Sequence, residues 1–226
     1  MCPVVVGDVR RMLGAVGLRL CGGFAVESDD DVPALIDGRP ARTVLMVGNA
    51  GPAMWRHFGK ACPPGLHPLD NWTREVIARI STRLGASAVF PFQRPYLPFQ
   101  RWGIRSGSCH SSPLGILIHA RFGLWHALRG ALLFSDDVPL PVGRQSPSPC
   151  NSCGERPCLN ACPVKAFGNA DGYDVPACIG HLRVAEGHDC MAFGCRARRS
   201  CPVGRVYRYD SDQAHFHMEA FLSAFR

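Results

Sequence analysis

The sequence predicts an α+β domain followed by a small cysteine-rich domain organised around metal, and three observations carry that prediction. Helix-like and strand-like segments mix irregularly over roughly the first 140 residues, without the strict βαβ alternation of a parallel sheet. Eight of the twelve cysteines then fall between Cys150 and Cys201. Between the two regions, Val138 to Pro149 (VPLPVGRQSPSP) is rich in proline and lacks apolar periodicity, as a linker does. These place the domains at residues 1–142 and 143–226.

The elements follow in chain order. Val9, Met12, Leu13 and Val16 have helical spacing, so a short helix is expected over Asp8 to Val16, ended by Gly17. Leu18 to Ala25 reads as a strand. RTVLMV, Arg42 to Val47, reads as a buried strand, followed by a Gly-Asn-Ala-Gly turn and a helix from Pro52. The clearest helix is Asp70 to Leu84: Asp70 is the expected N-cap, Trp72, Val76, Ile77, Ile80 and Leu84 form one stripe, and Gly85 closes it. Ala86 to Phe92 is a further strand. GILIHARFGLWHALRGALLF, Gly115 to Phe134, reads as a hairpin turning at Ala120 to Gly123. Its second strand would put Trp125, Ala127 and Arg129 on one face and His126, Leu128 and Gly130 on the other. In the second domain, Asp174 is placed to cap a helix on which Val175, Cys178, Ile179 and Leu182 face the metal. Ser211 to Phe225 is a last helix, with Phe216 and Phe221 for packing.

Hydrophobic residues make up 46% of the chain and charged residues 19%, enough apolar material for a packed core. No apolar run approaches the ~18 residues of a membrane span, and the N-terminus has no charged start and apolar stretch of an export signal. A cytoplasmic protein without membrane partners is expected. The net charge of +7 includes Arg196, Arg198, Arg199, Arg205 and Arg208. No aromatic platform interleaves with them as single-strand binding requires, so nucleic acid is not the expected partner. The arginines are read as offsetting a negatively charged metal centre.

The cysteines have a pattern. Cys150-x2-Cys153-x4-Cys158-x3-Cys162-Pro163 differs from the bacterial ferredoxin run C-x2-C-x2-C-x3-C-P by two residues before the third cysteine. A looser second half holds Cys178, Cys190, Cys195 and Cys201-Pro202. In two-cluster ferredoxins the cysteine before proline serves the other half's cluster. That crossing assigns Cys150, Cys153, Cys158 and Cys201 to one [4Fe-4S] cluster and Cys162, Cys178, Cys190 and Cys195 to a second. Three alternatives stay open: two zinc sites, in which His181 or His188 replaces a cysteine; disulfides; and a single cluster with the second half as scaffold. Cys2, Cys21, Cys62 and Cys109 are expected as buried small apolar residues.

Further residues carry a resemblance. Arg105-Ser106-Gly107 and the stretch from Gly115 to Phe134 resemble the cobalamin-processing family of the human cblC disorder, which has a similar IHPRFGGWFAIRG segment. Gly17 to Phe24 and Pro52-Ala53-Met54 extend the likeness over roughly residues 15 to 140. The resemblance implies a nitroreductase-like α/β sandwich, a corrinoid ligand, and removal of cobalamin's upper ligand by reduction or glutathione attack. It also implies corrin or glutathione contact at Arg129, with a surface or interdomain ion pair as the alternative, and a pocket wall at Trp125, with ordinary core packing as the alternative; Phe122 is read as a turn or pocket residue and His119 as a further pocket residue. His119 and His126 are read as hydrogen-bonded structural histidines before cobalt ligands. The chain departs from the family at Ala120 and Leu124, where that family has proline and glycine.

Epoxyqueuosine reductases are similar too, joining a cobalamin-binding domain to a two-cluster ferredoxin module in this order. Their GLLIHPEYGSW-like strand and CISYL helix look like Gly115 to His119 and Cys178 to Leu182. Their catalytic aspartate has no counterpart, since Phe90 to Cys109 contains no acidic residue.

Together these readings give a nitroreductase-like domain followed by a bacterial-ferredoxin-like domain, with an external electron donor as partner. The expected activity is that of a cobalamin-dependent or cobalamin-processing oxidoreductase, in which two [4Fe-4S] clusters reduce a bound corrinoid. The alternatives are a ferredoxin-type electron carrier without corrinoid, and a flavin reductase. No G-x-G-x-x-G fingerprint supports direct use of a nicotinamide cofactor.

Overall fold

The computed structural model describes residues 6–61, 63–140, 146–168 and 172–225. Cys2, Cys62 and residues 141–145 of the expected linker lie outside them. In chain order the elements are α1 (Val6–Gly14), β1 (Arg19–Ala25), β2 (Thr43–Ala50), α2 (Ala53–Ala61), α3 (Pro68–Leu84), β3 (Ser87–Val89) and α4 (Phe99–Arg105). Then follow β4 (Cys109–Ser111), β5 (Leu117–His119), β6 (His126–Phe134), α5 (Pro157–Asn160), α6 (Val175–Leu182), α7 (His188–Phe193), α8 (Arg196–Ser200) and α9 (Ser211–Ser223). Short 3₁₀ turns lie at Ala185–Gly187 and Arg205–Tyr207. The protein is α+β, and among the described residues no helix is long and apolar enough to cross a membrane.

The chain divides into two compact units, Met1–Cys109 with Ala127–Ser146, and His110–His126 with Pro147–Arg226. The segment 110–126 thus groups with the C-terminal residues, on the far side of the boundary at 142/143 that composition suggests.

The first unit is built on a four-stranded sheet of order β1-β2-β6-β3, with β1 antiparallel to β2 and β3 antiparallel to β6. β2 is buried along its whole length because it is a central strand, and its burial runs on through Gly48, Asn49 and Ala50. The expected Gly-Asn-Ala-Gly turn is therefore strand up to Gly51, where φ becomes +63°. Cys21, Phe24, Val44, Met46, Phe99, Trp102, Ala131 and Leu133 make one core cluster. Cys21 and Cys109 are buried as small apolar residues are, and burial pushes both thiols up to about 12.

Helix α3 buries Leu69, Trp72, Thr73, Val76, Ile77, Ile80 and Ser81, so the predicted stripe begins one turn earlier, and Leu84 at its end is only half-buried. Asp70 is not its N-cap. Pro68, whose ring presets a helical φ, starts the helix two residues earlier, and His67 caps it in the left-handed conformation without a side-chain bond. The stop is as expected, with Gly85 at φ 65° and Ala86 N–H donating to Ser81 O at 2.9 Å.

The expected hairpin from Gly115 to Phe134 is not one hairpin. Its turn forms, with His119 and Gly123 exchanging backbone bonds of 2.8 and 2.9 Å. Beyond the turn the strands part: β5 pairs with β4, whereas β6 joins the four-stranded sheet. Apolar residues on both sides of a turn look the same whether the strands pair with each other or with distant partners.

In the second unit Asp174 caps α6, accepting from Ala177 N at 2.9 Å, and Asp210 caps α9, accepting from Gln213 N at 3.0 Å. Gly123 (φ +58°) and Gly204 (φ +71°) let two loops of this unit meet backbone to backbone. A Cβ on Gly123 would stand 2.0 Å from Val203 O, and one on Gly204 would stand 2.3 Å from Phe122 O. Gly204→Ala must both leave the left-handed region and push the loops apart. It should lower the stability of the second unit by ~2 kcal/mol or more, read as a reduced midpoint of chemical denaturation.

Candidate metal centre

The eight cysteines of the second unit lie around two recesses, four at each. The first is lined by Cys150, Cys153, Cys158 and Cys201. Cys150 and Cys153 belong to one turn, closed by Cys153 N–H to Cys150 O at 3.3 Å. Cys158 enters on α5, whose Pro157 occupies the first helical position after Arg156 at φ 40°. Cys201 arrives from α8. Its ψ of 127° is the extended value that a following proline imposes, so Pro202 ends the helix and turns this residue out of the helical path. Apolar Pro113, Leu114, Ile118, Leu124 and Val203 complete the walls.

The second recess is lined by Cys162, Cys178, Cys190 and Cys195. On α6, Cys178, His181 and Leu182 share one face by their three- and four-residue spacing, and all three line the recess. Of the four α6 residues expected toward the metal, Cys178 and Leu182 are so placed. Cys190 comes from α7, Cys195 precedes α8, and Phe167 and Met218 add apolar wall. Among the described residues no three metal-binding side chains converge on a point that would hold a single ion. The cysteines are spread about the recess walls.

Gathering thiols in buried recesses carries an electrostatic cost. Burial pushes Cys195 up to about 11 and raises Cys150, Cys158, Cys178 and Cys201, with neighbouring thiols adding to the rise at each. Opposing this, backbone amides of Arg198 and Ala197 donate to Cys195, and that of Val203 donates to Cys201. The hydroxyl of Tyr173 donates to Cys178.

The arginines are held in fixed positions. Arg196 and Arg199 both bond to the Asp189 carboxylate, Arg196 Nε at 2.6 Å, and Arg199 Nε donates to Gly194 O at 3.0 Å. Arg196 lines the second recess and Arg156 the first. Arg208 donates to Arg199 O at 2.5 Å.

Of the residues expected at a corrinoid, Trp125, Phe122 and His119 belong to the second unit and Arg129 to the first. Trp125 is 2% exposed. Its ring packs edge-on to Tyr209 at 5.4 Å, and the Arg198 guanidinium lies 4.7 Å from its centroid and 4.6 Å from that of Tyr209. Arg198 also donates twice to Leu124 O, at 2.6 and 2.9 Å. Trp125 is a core residue here, and the signal that sequence reading missed is its partner Arg198, some seventy residues later.

Phe122 is buried between His119 at 4.3 Å and Tyr207 at 4.9 Å. His119 Nδ1 accepts from the amides of Arg121 and Phe122, and His126 Nδ1 lies 3.0 Å from Gly123 O. Both rings thus brace the turn between them. Burial, above all, holds both pKa values down to about 4, so both are neutral at pH 7. Arg129 is half-buried on β6 and donates to the buried Asn49 Oδ1 on β2 at 2.9 Å. Asp70 feels its charge as well.

No protein-family model matches the chain, and no curated protein matches it significantly. Solved structures do. CblC, a B12-trafficking protein of C. elegans and homologue of human MMACHC, superimposes with a TM-score of 0.54 at 14% identity over 96% of this chain and 95% of that one. The fold is shared with CblC. It is shared equally with epoxyqueuosine reductase from Streptococcus thermophilus, at TM-score 0.55 and 14% identity, covering 93% of this chain and 70% of that one. A selenomethionine-labelled epoxyqueuosine reductase gives 0.52 at 15% identity, over 93% and 68%.

The Arg198 cage yields a prediction of its own. Arg198→Lys keeps the charge but loses the planar stacking and the two-pronged bond to Leu124 O. It should destabilise the second unit by about 1–2 kcal/mol, visible as a lower denaturation midpoint with tryptophan fluorescence as probe.

Proposed function

We propose that the chain is an iron–sulfur reductase in which a C-terminal ferredoxin-like domain, residues 143–226, passes electrons from an external donor to a corrinoid bound by the N-terminal domain, residues 1–142. The observation that supports it most is the four-and-four division of cysteines between two recesses, in the sets given by the crossed Cys-Pro pattern. Cys150, Cys153, Cys158 and Cys201 would hold one [4Fe-4S] cluster, and Cys162, Cys178, Cys190 and Cys195 the other. Bound there, a cluster supplies one-electron transfer at low potential.

The chain's own residues supply the rest. Amides of Ala197, Arg198 and Val203 stabilise thiolate ligands, and Arg156 and Arg196 offset their charge. Apolar walls keep water from the sulfur atoms, which governs the potential. Four thiols at each recess match a cubane, whose corners each take one sulfur.

The corrinoid part of the reading is supported by the fold shared with CblC, a B12-trafficking protein, and Arg129 is the residue of the first unit proposed to contact it. A second reading, a ferredoxin-type electron carrier without corrinoid, is favoured by a specific observation. Trp125, Phe122 and His119 are engaged in packing and turn bracing inside the second unit.

Protein purified anaerobically should be brown and carry about eight iron and eight sulfide per chain, four of each per cubane. Zinc without sulfide would overturn the reading. Hydroxocobalamin added at micromolar protein should shift its visible spectrum on binding, and Arg129→Ala should weaken that binding about tenfold. An unshifted spectrum would leave the carrier reading.

A further inference from the structure

The two recesses differ in the hydrogen bonds their side chains can offer. Each has one arginine in its wall, Arg156 in the first and Arg196 in the second. The first recess also has Ser112, but its hydroxyl is engaged by Ile116 O at 2.7 Å. The second recess has His181, and its Nε2 atom is buried without a hydrogen-bond partner among the described residues. A buried imidazole nitrogen left unpaired costs about 1–3 kcal/mol, so such an atom on a recess wall points to a missing partner inside the recess.

Tyr173 is a second donor at the same place. Its hydroxyl bonds to Cys178, and its ring is stacked on Phe167, a wall residue, with centroids 4.7 Å apart and planes at 9°. That stacking fixes where the hydroxyl points. His181 and Cys178 lie three residues apart on α6, whose N-terminus is tied down by the Asp174 cap, so the imidazole is carried on the helix that carries the ligand.

We propose that His181 and Tyr173 are tuning residues for the second cluster, donating hydrogen bonds to its sulfur atoms and so holding its reduction potential up. The inference rests on the cluster reading above. Reduction adds negative charge that spreads onto the sulfurs, and a donor aimed at them stabilises the reduced form more than the oxidised one. The proton of His181 sits on Nε2 in this arrangement. Neither residue is a ligand, and neither exchanges a proton during reduction.

The test is a potentiometric titration at one fixed pH, followed by electron paramagnetic resonance, on the full chain reconstituted anaerobically with iron and sulfide. Wild type is compared with His181→Leu, His181→Gln and Tyr173→Phe, each first assayed for iron and sulfide. His181→Leu should lower one of the two midpoints, making that cluster about tenfold harder to reduce, or about 59 mV for a one-electron couple. Tyr173→Phe should lower the same midpoint, His181→Gln should restore most of the loss through its amide N–H, and the other midpoint should stay put. Full clusters with neither midpoint moved, or with both moved together, would overturn the tuning role and leave the cluster reading intact. Wild type lacking sulfide would remove both. If His181→Leu does not assemble, an unmoved midpoint in Tyr173→Phe overturns the proposal.

Discussion

Four thiolates cannot share one small recess unless positive charge sits among them. Burial, and to a lesser extent the neighbouring thiols, push Cys150, Cys158, Cys178, Cys195 and Cys201 up, toward the protonated form. Much of the second unit follows from that constraint. Pro202 turns Cys201 away from the helix before it, and Pro163 follows Cys162 in the same way. Backbone amides point at sulfur, and arginines are locked by Asp189, Gly194 O and Leu124 O. Cysteines stand within the apolar cluster of Leu114, Ile118, Leu124 and Ala197, so metal held there would add to the folding free energy of the unit as well as supply redox chemistry.

What was legible in the sequence was local. The α3 stripe, the Gly85 stop and the Asp174 cap depend on residues a few positions apart, and each stands where spacing put it. The four-and-four division of cysteines between the recesses follows the grouping that the Cys-Pro pattern suggests. Asp70 failed as a cap because Pro68, two residues earlier, is the stronger start signal. The hairpin failed because alternation says which face a residue takes and nothing about which strand lies beside it.

The remaining features depend on partners far apart in the chain. Trp125 meets Arg198 and Tyr209, Arg129 meets Asn49, and the amides of the 121–122 turn close on a histidine ring. No periodicity reports such pairs. They change how the nominated residues are read: the tryptophan and histidine of the cblC-like stretch hold the second unit together, while Arg129 alone of that set stands in the first. The fold is common to a B12-trafficking protein and to epoxyqueuosine reductases, so chemistry has to be argued from the side chains.

We propose that the two halves exchange ligands, Cys201 serving the first cluster and Cys162 the second. Paired alanine variants test it by iron and sulfide content. If the exchange holds, Cys153→Ala with Cys201→Ala removes two ligands from one cluster and leaves about four iron and four sulfide, whereas Cys153→Ala with Cys162→Ala damages both and leaves neither. The reverse pattern, with the Cys153 and Cys162 pair sparing one cluster, would contradict the exchange.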